Sequence, residues 1–216
     1  MKGVTLNGPW LAMDLGAEMP VLSFAPHRPG HVVARRILWR EVRDADLPAG
    51  LDARAALAAW LRERGAADAV CFLTSRALTA HDVAGAAVDG VTARAVATVG
   101  LGNAERIGGR RAHAQAVGTI NLAVRLSQPL APQALIEALT LAAEARTLAV
   151  LEAGLALPGG LATGTGTDCI AVAAPRGSCQ PAGKHTAAGE ALGRAALDAL
   201  RPGVARWMTE IGGATR

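Results

Sequence analysis

The pattern of hydrophobic and polar positions predicts strands over much of the chain. Residues 3–43 combine β-branched and apolar side chains with turn residues, and Val32 to Val42 carries its charges on one side, as a strand near a sheet edge does. Short apolar runs predict four further strands, at Ala69 to Thr74, Val91 to Val99, Gly118 to Leu126 and Asp168 to Ala174.

Apolar residues at helical spacing predict four helices between and after these strands. Asp52 is placed to cap a helix that ends near Arg64, where Gly65 follows. The other three are a short helix from Thr79 to about Val88, a long one from Pro132 to about Leu155, and a last one that follows Thr186 and ends near Leu200. This mixture predicts an α/β protein of the α+β type, with a mixed β-sheet covered by helices in a single domain of residues 1–216.

Composition excludes several classes of protein. Hydrophobic residues make up 51% of the 216 residues and charged residues 19%, so the chain is too apolar to be disordered. No run reaches the roughly 18 consecutive apolar residues of a membrane span, and the first residues lack the apolar core of a signal peptide. We therefore expect a cytoplasmic protein with no membrane span, and the sequence leaves a homo-oligomer open.

The net charge of +4 does not by itself indicate a nucleic-acid partner. The 22 basic residues are scattered and are dense only at Arg35-Arg36 and Arg110-Arg111. Proteins that bind single strands place stacking aromatic side chains beside their basic groups, whereas this chain has 2 Phe, 4 Trp and no Tyr. We therefore expect no nucleic-acid partner.

The cysteines and the common catalytic signatures narrow the chemistry further. Cys71, Cys169 and Cys179 have neither a C-x-x-C spacing nor a nearby histidine pair, which favours free thiols over disulfides or structural zinc. The sequence also has no P-loop, no H-E-x-x-H and no G-x-S-x-G.

Three polar clusters, each beside a predicted strand end, are the candidates for a functional site. Strand ends and their adjoining loops are where α/β proteins place ligands, and glycine lets the backbone approach a ligand closely. The clusters are Gly100-Leu101-Gly102-Asn103, Thr119-Ile120-Asn121, and a third that joins Thr163-Gly164-Thr165-Gly166-Thr167-Asp168 to Gly183-Lys184-His185-Thr186.

These clusters also have ordinary structural explanations. Asn103 and Asp168 are typical turn residues, whose side chains cap local N–H groups. Asn121 lies within an apolar strand, where its amide must find a partner. Lys184 and His185 fit a solvated pair at a helix start, but cations are disfavoured at a helix N-terminus, which favours an anionic partner or a site.

Five ordered segments carry a resemblance to a known family. They are VGLGNA (Val99 to Ala104), GTINLAV (Gly118 to Val124), EARTLAVLEAG (Glu144 to Gly154), ATGTGTD (Ala162 to Asp168) and AGKHTAAGEALGRA (Ala182 to Ala195). Together they resemble the adenosylcobinamide amidohydrolase family over roughly residues 91–200, whereas residues 1–90 match only loosely, around Thr74.

The resemblance implies a corrinoid-salvage hydrolase with a small-molecule corrinoid as its partner. Such enzymes cleave the amide between the aminopropanol arm and the corrin ring of adenosylcobinamide, which yields adenosylcobyric acid for cobalamin synthesis. Some bacterial relatives also act on pseudocobalamin-type corrinoids, which would make the reaction a remodelling step. The alternatives are a non-catalytic corrinoid-binding or carrier protein, for which a D-x-H-x-x-G signature is missing, and an unrelated small amidase.

Residue types suggest roles in this reaction. Amide hydrolysis needs an activated nucleophile, a stabilised oxyanion and a proton for the leaving amine. We expect Asp168 to act as general base on water or to hold a metal, and His185 to deliver the proton. The oxyanion would be held by Asn121, by Asn103 or by the Gly164–Gly166 backbone.

The remaining candidates would bind the substrate. They are Gly102, Asn103, Thr119, Gly164, Thr165, Thr167, Lys184 and Thr186. Lys184 would contact the oxyanion or a phosphate, and a covalent route through Thr165 or Thr167 would need an adjacent base. No cofactor follows from the sequence, and a divalent metal stays open.

Overall fold

The computed structural model describes residues 3–48, 50–109, 118–179 and 181–214, with side chains as far as residue 210. The helices in these ranges are α1 (Ala53–Glu63), α2 (Pro132–Glu152) and α3 (Ala187–Ala214). The strands are β1 (Val4–Asn7), β2 (Trp10–Ser23), β3 (Gly30–Glu41), β4 (Val70–Thr74), β5 (Asp82–Val88), β6 (Val91–Val99), β7 (Ala104–Glu105), β8 (Ile120–Leu126), β9 (Ala156–Leu157), β10 (Gly160–Leu161), β11 (Gly164–Thr165) and β12 (Cys169–Ala173).

Eight of these strands form one mixed sheet. Its order is β4-β3-β2-β12-β8-β6-β5, and β1 pairs with the first part of β2. The pairs β3–β4 and β8–β12 are parallel, because α1 and α2 respectively cross between their strands. The other pairs of this sheet are antiparallel, and helices cover it, which confirms the predicted α+β class with a mixed sheet.

The sheet curls, so that strands distant in its order meet across its inner face. The pairing of β2 with β3 shifts register between Asp14 and Met19, and such an irregularity bends a sheet. Inside the curl, Trp39 and Phe72 pack edge to face with their ring centroids 5.0 Å apart, in one core with residues of β6, β8 and β12. The outer face carries α2 and α3 on one half and α1 on the other.

The predicted start of α1 is confirmed in detail. Oδ1 of Asp52 accepts hydrogen bonds from the backbone N–H groups of Arg54 at 2.8 Å and Ala55 at 3.3 Å. These two bonds satisfy donors that have no partner within the helix. In the described part of the chain, no helix has the length and apolar character needed to cross a membrane.

The short helix predicted from Thr79 to Val88 is wrong. Only Leu78–Ala80 forms a helical turn, of the 3-10 type, and Asp82–Val88 is strand β5, paired antiparallel with β6. The reason is the turn between β5 and β6, where Asp89 has a φ of 47° and Gly90 has a φ of 80°. An Asp-Gly pair with positive φ at both residues is a favoured two-residue hairpin connection.

The predicted end of the last helix near Leu200 is also wrong, because α3 continues to Ala214. Pro202 lies inside it, where a missing N–H would favour termination. Val204 is nevertheless buried in the core, and a Cβ at Gly203 would lie 2.9 Å from a methyl of Val99. Close packing against β6 therefore outweighs the local preference to end the helix.

Candidate active site

A cleft of about 760 Å³ lies at the edge of the sheet where β8 and β12 begin. These strands are parallel, so both start there, and their antiparallel neighbours β6 and β2 both end there. The curl of the sheet adds the end of β4 to the same place. One polar wall of the cleft consists of Asn103, Gly118, Thr119, Thr167, Asp168 and Cys169, and the polar residues Arg54, Thr74 and Ser75 also line the cleft.

Asp168, directly before β12, is held by four donors. Its side chain is 5% exposed and forms an ion pair with Arg146 of α2. The backbone N–H of Ile120 donates to Oδ1 at 3.1 Å and that of Thr165 donates to Oδ2 at 2.9 Å. The Thr165 hydroxyl also donates to Oδ1. The carboxylate therefore fixes the start of β8, the loop before β12 and the middle of α2 to one another.

Threonine and asparagine side chains join the three strand-end clusters. Thr119 Oγ1 donates to the carbonyl of Thr167 at 2.8 Å, and Thr167 Oγ1 donates to the carbonyl of Gly118 at 3.0 Å. The backbone N–H of Gly166 donates to the carbonyl of Asn103 at 3.1 Å, and Asn103 Nδ2 lies 3.4 Å from Thr167 Oγ1. The glycine-rich turn after β6 and the loop before β12 thus form one hydrogen-bonded wall.

The turn after β6 carries two backbone donors beside this wall, and it lines the cleft at Asn103 but not at Gly102. The N–H groups of Gly102 and Asn103 have no acceptor among the described residues. Gly118 packs directly against this turn, since a Cβ at that position would lie 2.6 Å from the nitrogen of Gly102 and 3.0 Å from that of Asn103. Glycine at 118 is what allows this approach.

Beneath the cleft, a row of polar side chains crosses three strands. Thr98 of β6 and Cys169 of β12 are the register partners of Asn121 on β8. Asn121 is fully buried, and its Nδ2 donates to the carbonyl of Leu73 at 2.8 Å, which ties β8 to β4 across the curl. Neither Oδ1 of Asn121 nor Oγ1 of Thr98 has a hydrogen-bond partner within the described residues.

Cys169 is the thiol of the cleft. Its Sγ lies 3.7 Å from the carbonyl oxygens of both Phe24 and Thr167. Burial, together with the nearby Asp168 carboxylate, raises the pKa of the Cys169 thiol to about 11. The thiol is therefore protonated at neutral pH, and a protonated thiol is a poor nucleophile. Cys71 and Cys179 are likewise free thiols.

The second half of the third predicted cluster lies apart from the cleft wall. Lys184 pairs with Glu144 of α2, and Thr186 Oγ1 accepts from the N–H of Gly189 at 3.0 Å, as a cap of α3. His185 is exposed and makes no hydrogen bond to a described residue. The segment that carries these residues packs against α2, where Glu137 accepts from the N–H of Ala182 and Glu144 pairs with Lys184, and none of Lys184, His185 and Thr186 lines the cleft.

Two further residues of the site are recognisable in the sequence only by the segments in which they lie. Arg146 and Gly118 both lie within segments that resemble the family, EARTLAVLEAG and GTINLAV. Phe24, which also lines the cleft, lies in an extended segment without any such signal.

Among the described residues, no three His, Cys, Asp or Glu side chains come together as a metal-binding group. The basic pair Arg110-Arg111 lies outside the described residues.

The fold and the cleft define an α+β protein with a polar site at converging strand ends. The family model of the adenosylcobinamide amidohydrolases (CbiZ) matches residues 2–211 of the chain. The chain belongs to this family of amidohydrolases, whose members are hydrolases of carbon–nitrogen bonds. The resemblance in residues 91–200 is thereby confirmed, and the match also includes nearly all of residues 1–90.

Two further comparisons add little to this assignment. No curated protein matches the chain at a significant level. Among solved structures, the crystal structure of the PH0078 protein from Pyrococcus horikoshii OT3 is similar, with 11% sequence identity and a TM-score of 0.47, over 97% of this chain and 81% of that one.

Proposed function

We propose that this protein hydrolyses the amide between the aminopropanol arm and the corrin ring of adenosylcobinamide, in cobalamin salvage or remodelling. Water adds to the acyl carbon, the carbon–nitrogen bond breaks, and the nitrogen gains a proton. The products are adenosylcobyric acid and 1-amino-2-propanol. Pseudocobalamin is a second candidate substrate, since it carries the same amide.

One observation carries the proposal. Three of the segments that resemble the family are far apart along the chain, yet they meet at one cleft through Asn103, Thr119 and Asp168. The cleft is also of the size that small-molecule sites have, roughly 300–1,000 Å³, and its polar lining offers hydrogen-bonding groups of the kind that bind an amide.

The backbone N–H groups of Gly102 and Asn103 are our candidates for the oxyanion hole. The tetrahedral intermediate of amide hydrolysis carries a negative oxygen, and preorganised backbone donors stabilise it strongly. Both donors have no acceptor among the described residues, and Gly118 fixes the turn that carries them. Asn121 is the less suitable candidate, because its Nδ2 already donates to Leu73.

Asp168 is proposed as the residue that positions this wall. The sequence suggests a general base, but both carboxylate oxygens already accept hydrogen bonds, from Arg146, Ile120 and Thr165. These contacts favour a structural role in the resting protein. The contact with Thr165 also supplies the adjacent base that a covalent route would need, although Thr165 is not part of the cleft wall. The roles of Lys184 and His185 stay predictions from the sequence.

The test is to incubate the purified protein with adenosylcobinamide and to detect both products by liquid chromatography with mass detection. Dialysis against a chelator before the assay tests the divalent metal, and rapid quenching tests for an acyl group on Thr165. Corrinoid binding without product formation would favour the alternative function, that of a non-catalytic corrinoid carrier. If the protein neither binds the corrinoid nor forms product, the corrinoid is excluded as the substrate.

A further inference from the structure

Apolar as well as polar side chains line the cleft. The apolar ones include Phe24 and Pro26, after β2, and Val42 and Leu47, after β3. Asn103 and Thr167 belong to the polar wall of the same cleft, and Sγ of Cys169 lies 3.7 Å from the carbonyl oxygens of both Phe24 and Thr167. A ligand that fills the cleft therefore meets an apolar surface beside hydrogen-bonding groups.

Phe24 is unusual among the aromatic side chains of this protein. Its side chain is 47% exposed, whereas Phe72 and Trp39 are fully buried. An exposed aromatic ring in a cleft loses its contact with water when a ligand covers it, and this contributes favourably to binding.

The backbone around Phe24 holds the ring in place. The N–H of Phe24 donates to the carbonyl of Ile170 at 3.3 Å, and its own carbonyl lies 3.7 Å from the Sγ of Cys169. Both contacts attach residue 24 to β12, a central strand of the sheet. The backbone that carries the ring is therefore fixed to the sheet, so that little backbone freedom is lost when a ligand binds.

We propose that Phe24, with Pro26 beside it, is a platform for a flat ring of the substrate and so directs the amide arm towards Gly102 and Asn103. This inference rests on the proposed function. Two parts of adenosylcobinamide are flat and largely apolar on their faces, namely the corrin ring and the adenine of the upper ligand. Contact with an aromatic face is the chemistry that they share.

The experiment compares the wild type with Phe24→Ala, Phe24→Trp and the control Ile136→Ala. Ile136 is also exposed, at 56%, but it lies on α2 outside the cleft. KM and kcat are measured with adenosylcobinamide, with dicyanocobinamide and with a short amide that carries the aminopropanol arm but no ring. Equilibrium dialysis of the two corrinoids gives Kd independently of turnover, and the midpoint of thermal unfolding shows that each variant is folded.

We expect Phe24→Ala to raise KM and Kd for adenosylcobinamide about tenfold. Its kcat and its hydrolysis of the ringless amide should stay within about twofold of the wild type, because a platform contributes to binding in the ground state and the transition state alike. Phe24→Trp should restore KM, and Ile136→Ala should leave it unchanged. An increase in KM and Kd for both corrinoids identifies the corrin ring as the group that contacts Phe24. An increase for adenosylcobinamide alone identifies the adenine as that group.

The inference is overturned if folded Phe24→Ala keeps the wild-type KM and Kd for both corrinoids. A loss of kcat at unchanged Kd also overturns it, since the residue would then act on the reaction rather than on the ring. Failure of the wild type to form product is a different result. It would exclude the proposed hydrolysis, while the Kd values from dialysis would still show whether Phe24 contacts a ring of the corrinoid.

Discussion

The guanidinium of Arg146 on α2 is paired with the carboxylate of Asp168, which stands directly before β12. The two residues are 22 positions apart and join a helix to the loop that forms one wall of the cleft. Gly164 makes the approach possible, because a Cβ at that position would overlap both side chains. A buried pair of this kind holds the wall of the cleft in one arrangement.

We expect Arg146→Met to lower the free energy of unfolding by about 3 kcal/mol, because it removes one partner of a buried ion pair. The side chains of Arg146 and Asp168 are 19% and 5% exposed. Urea denaturation measures the change. The rate of amide hydrolysis should fall as well, since the wall loses its fixed geometry.

The matched control for this pair is Arg201→Met. Arg201 and Glu152 form a similar pair, but their side chains are 47% and 41% exposed. Exposed pairs contribute little to stability, so the change should be small. Asp168→Asn and the double variant complete a mutant cycle, and strictly additive effects would contradict coupling between the two residues.

Gly118→Ala should abolish most of the activity while the fold persists. Its Cβ would lie 2.6 Å from the nitrogen of Gly102, so the turn with the proposed oxyanion donors must move. Loss of one oxyanion donor costs about 100-fold to 1,000-fold in kcat. Gly159→Ala is the control, because a Cβ there meets nothing within 4 Å. A wild-type kcat in folded Gly118→Ala would exclude this turn as the oxyanion hole.

Substitution should destabilise the protein at Asn121 but not at Thr98. Asn121→Ala leaves the carbonyl of Leu73 without its buried donor, and we expect a loss of about 1–3 kcal/mol in unfolding free energy. Thr98→Val removes a buried hydroxyl that has no partner within the described residues, so stability should be unchanged or higher. Chemical denaturation of both variants provides the comparison. Destabilisation by Thr98→Val would indicate that its hydroxyl does have a partner, such as a buried water.

The reactivity of Cys169 should depend on pH in a defined way. Its pKa is raised from 9.0 to about 11, so alkylation by iodoacetamide should be slow at pH 8 and should increase as the pH approaches 11. In the unfolded chain the thiol ionises near pH 9. Its contribution to stability is therefore complete below about pH 9 and is lost as the pH rises towards 11.

Peptide mapping by mass spectrometry follows the alkylation of each cysteine. Because Cys169 lines the cleft, a bound corrinoid should protect it. Rapid alkylation at pH 7 would contradict the raised pKa. Alkylation that a saturating corrinoid leaves unchanged would place the ligand outside the cleft.

The sequence and the structure lead to different predictions for His185. If His185 were the proton donor, His185→Ala would lower the rate and remove one limb of the pH–rate profile. The side chain is exposed and lies outside the cleft wall, so we expect a rate close to that of the wild type. A lower rate with an altered profile would restore the catalytic role.

Local chemistry explains which elements were predicted correctly. The cap at Asp52, the apolar run of β4 and the start of α2 at Pro132 depend on neighbouring residues alone. Strand β5 is not predictable in this way, because its own composition, DVAGAAV, is a weak strand signal. Its state depends on pairing with β6 through the turn at Asp89 and Gly90.

The family, the mixed class of the fold and the three clusters of candidate residues can all be identified from the amino-acid sequence. These properties follow from ordered motifs and local patterns. The three-dimensional arrangement is needed to show that Asn103, Thr119 and Asp168 share one cleft and that His185 does not line it. That outcome depends on strand order, strand direction and the curl of the sheet, which arise from contacts between residues far apart in the chain.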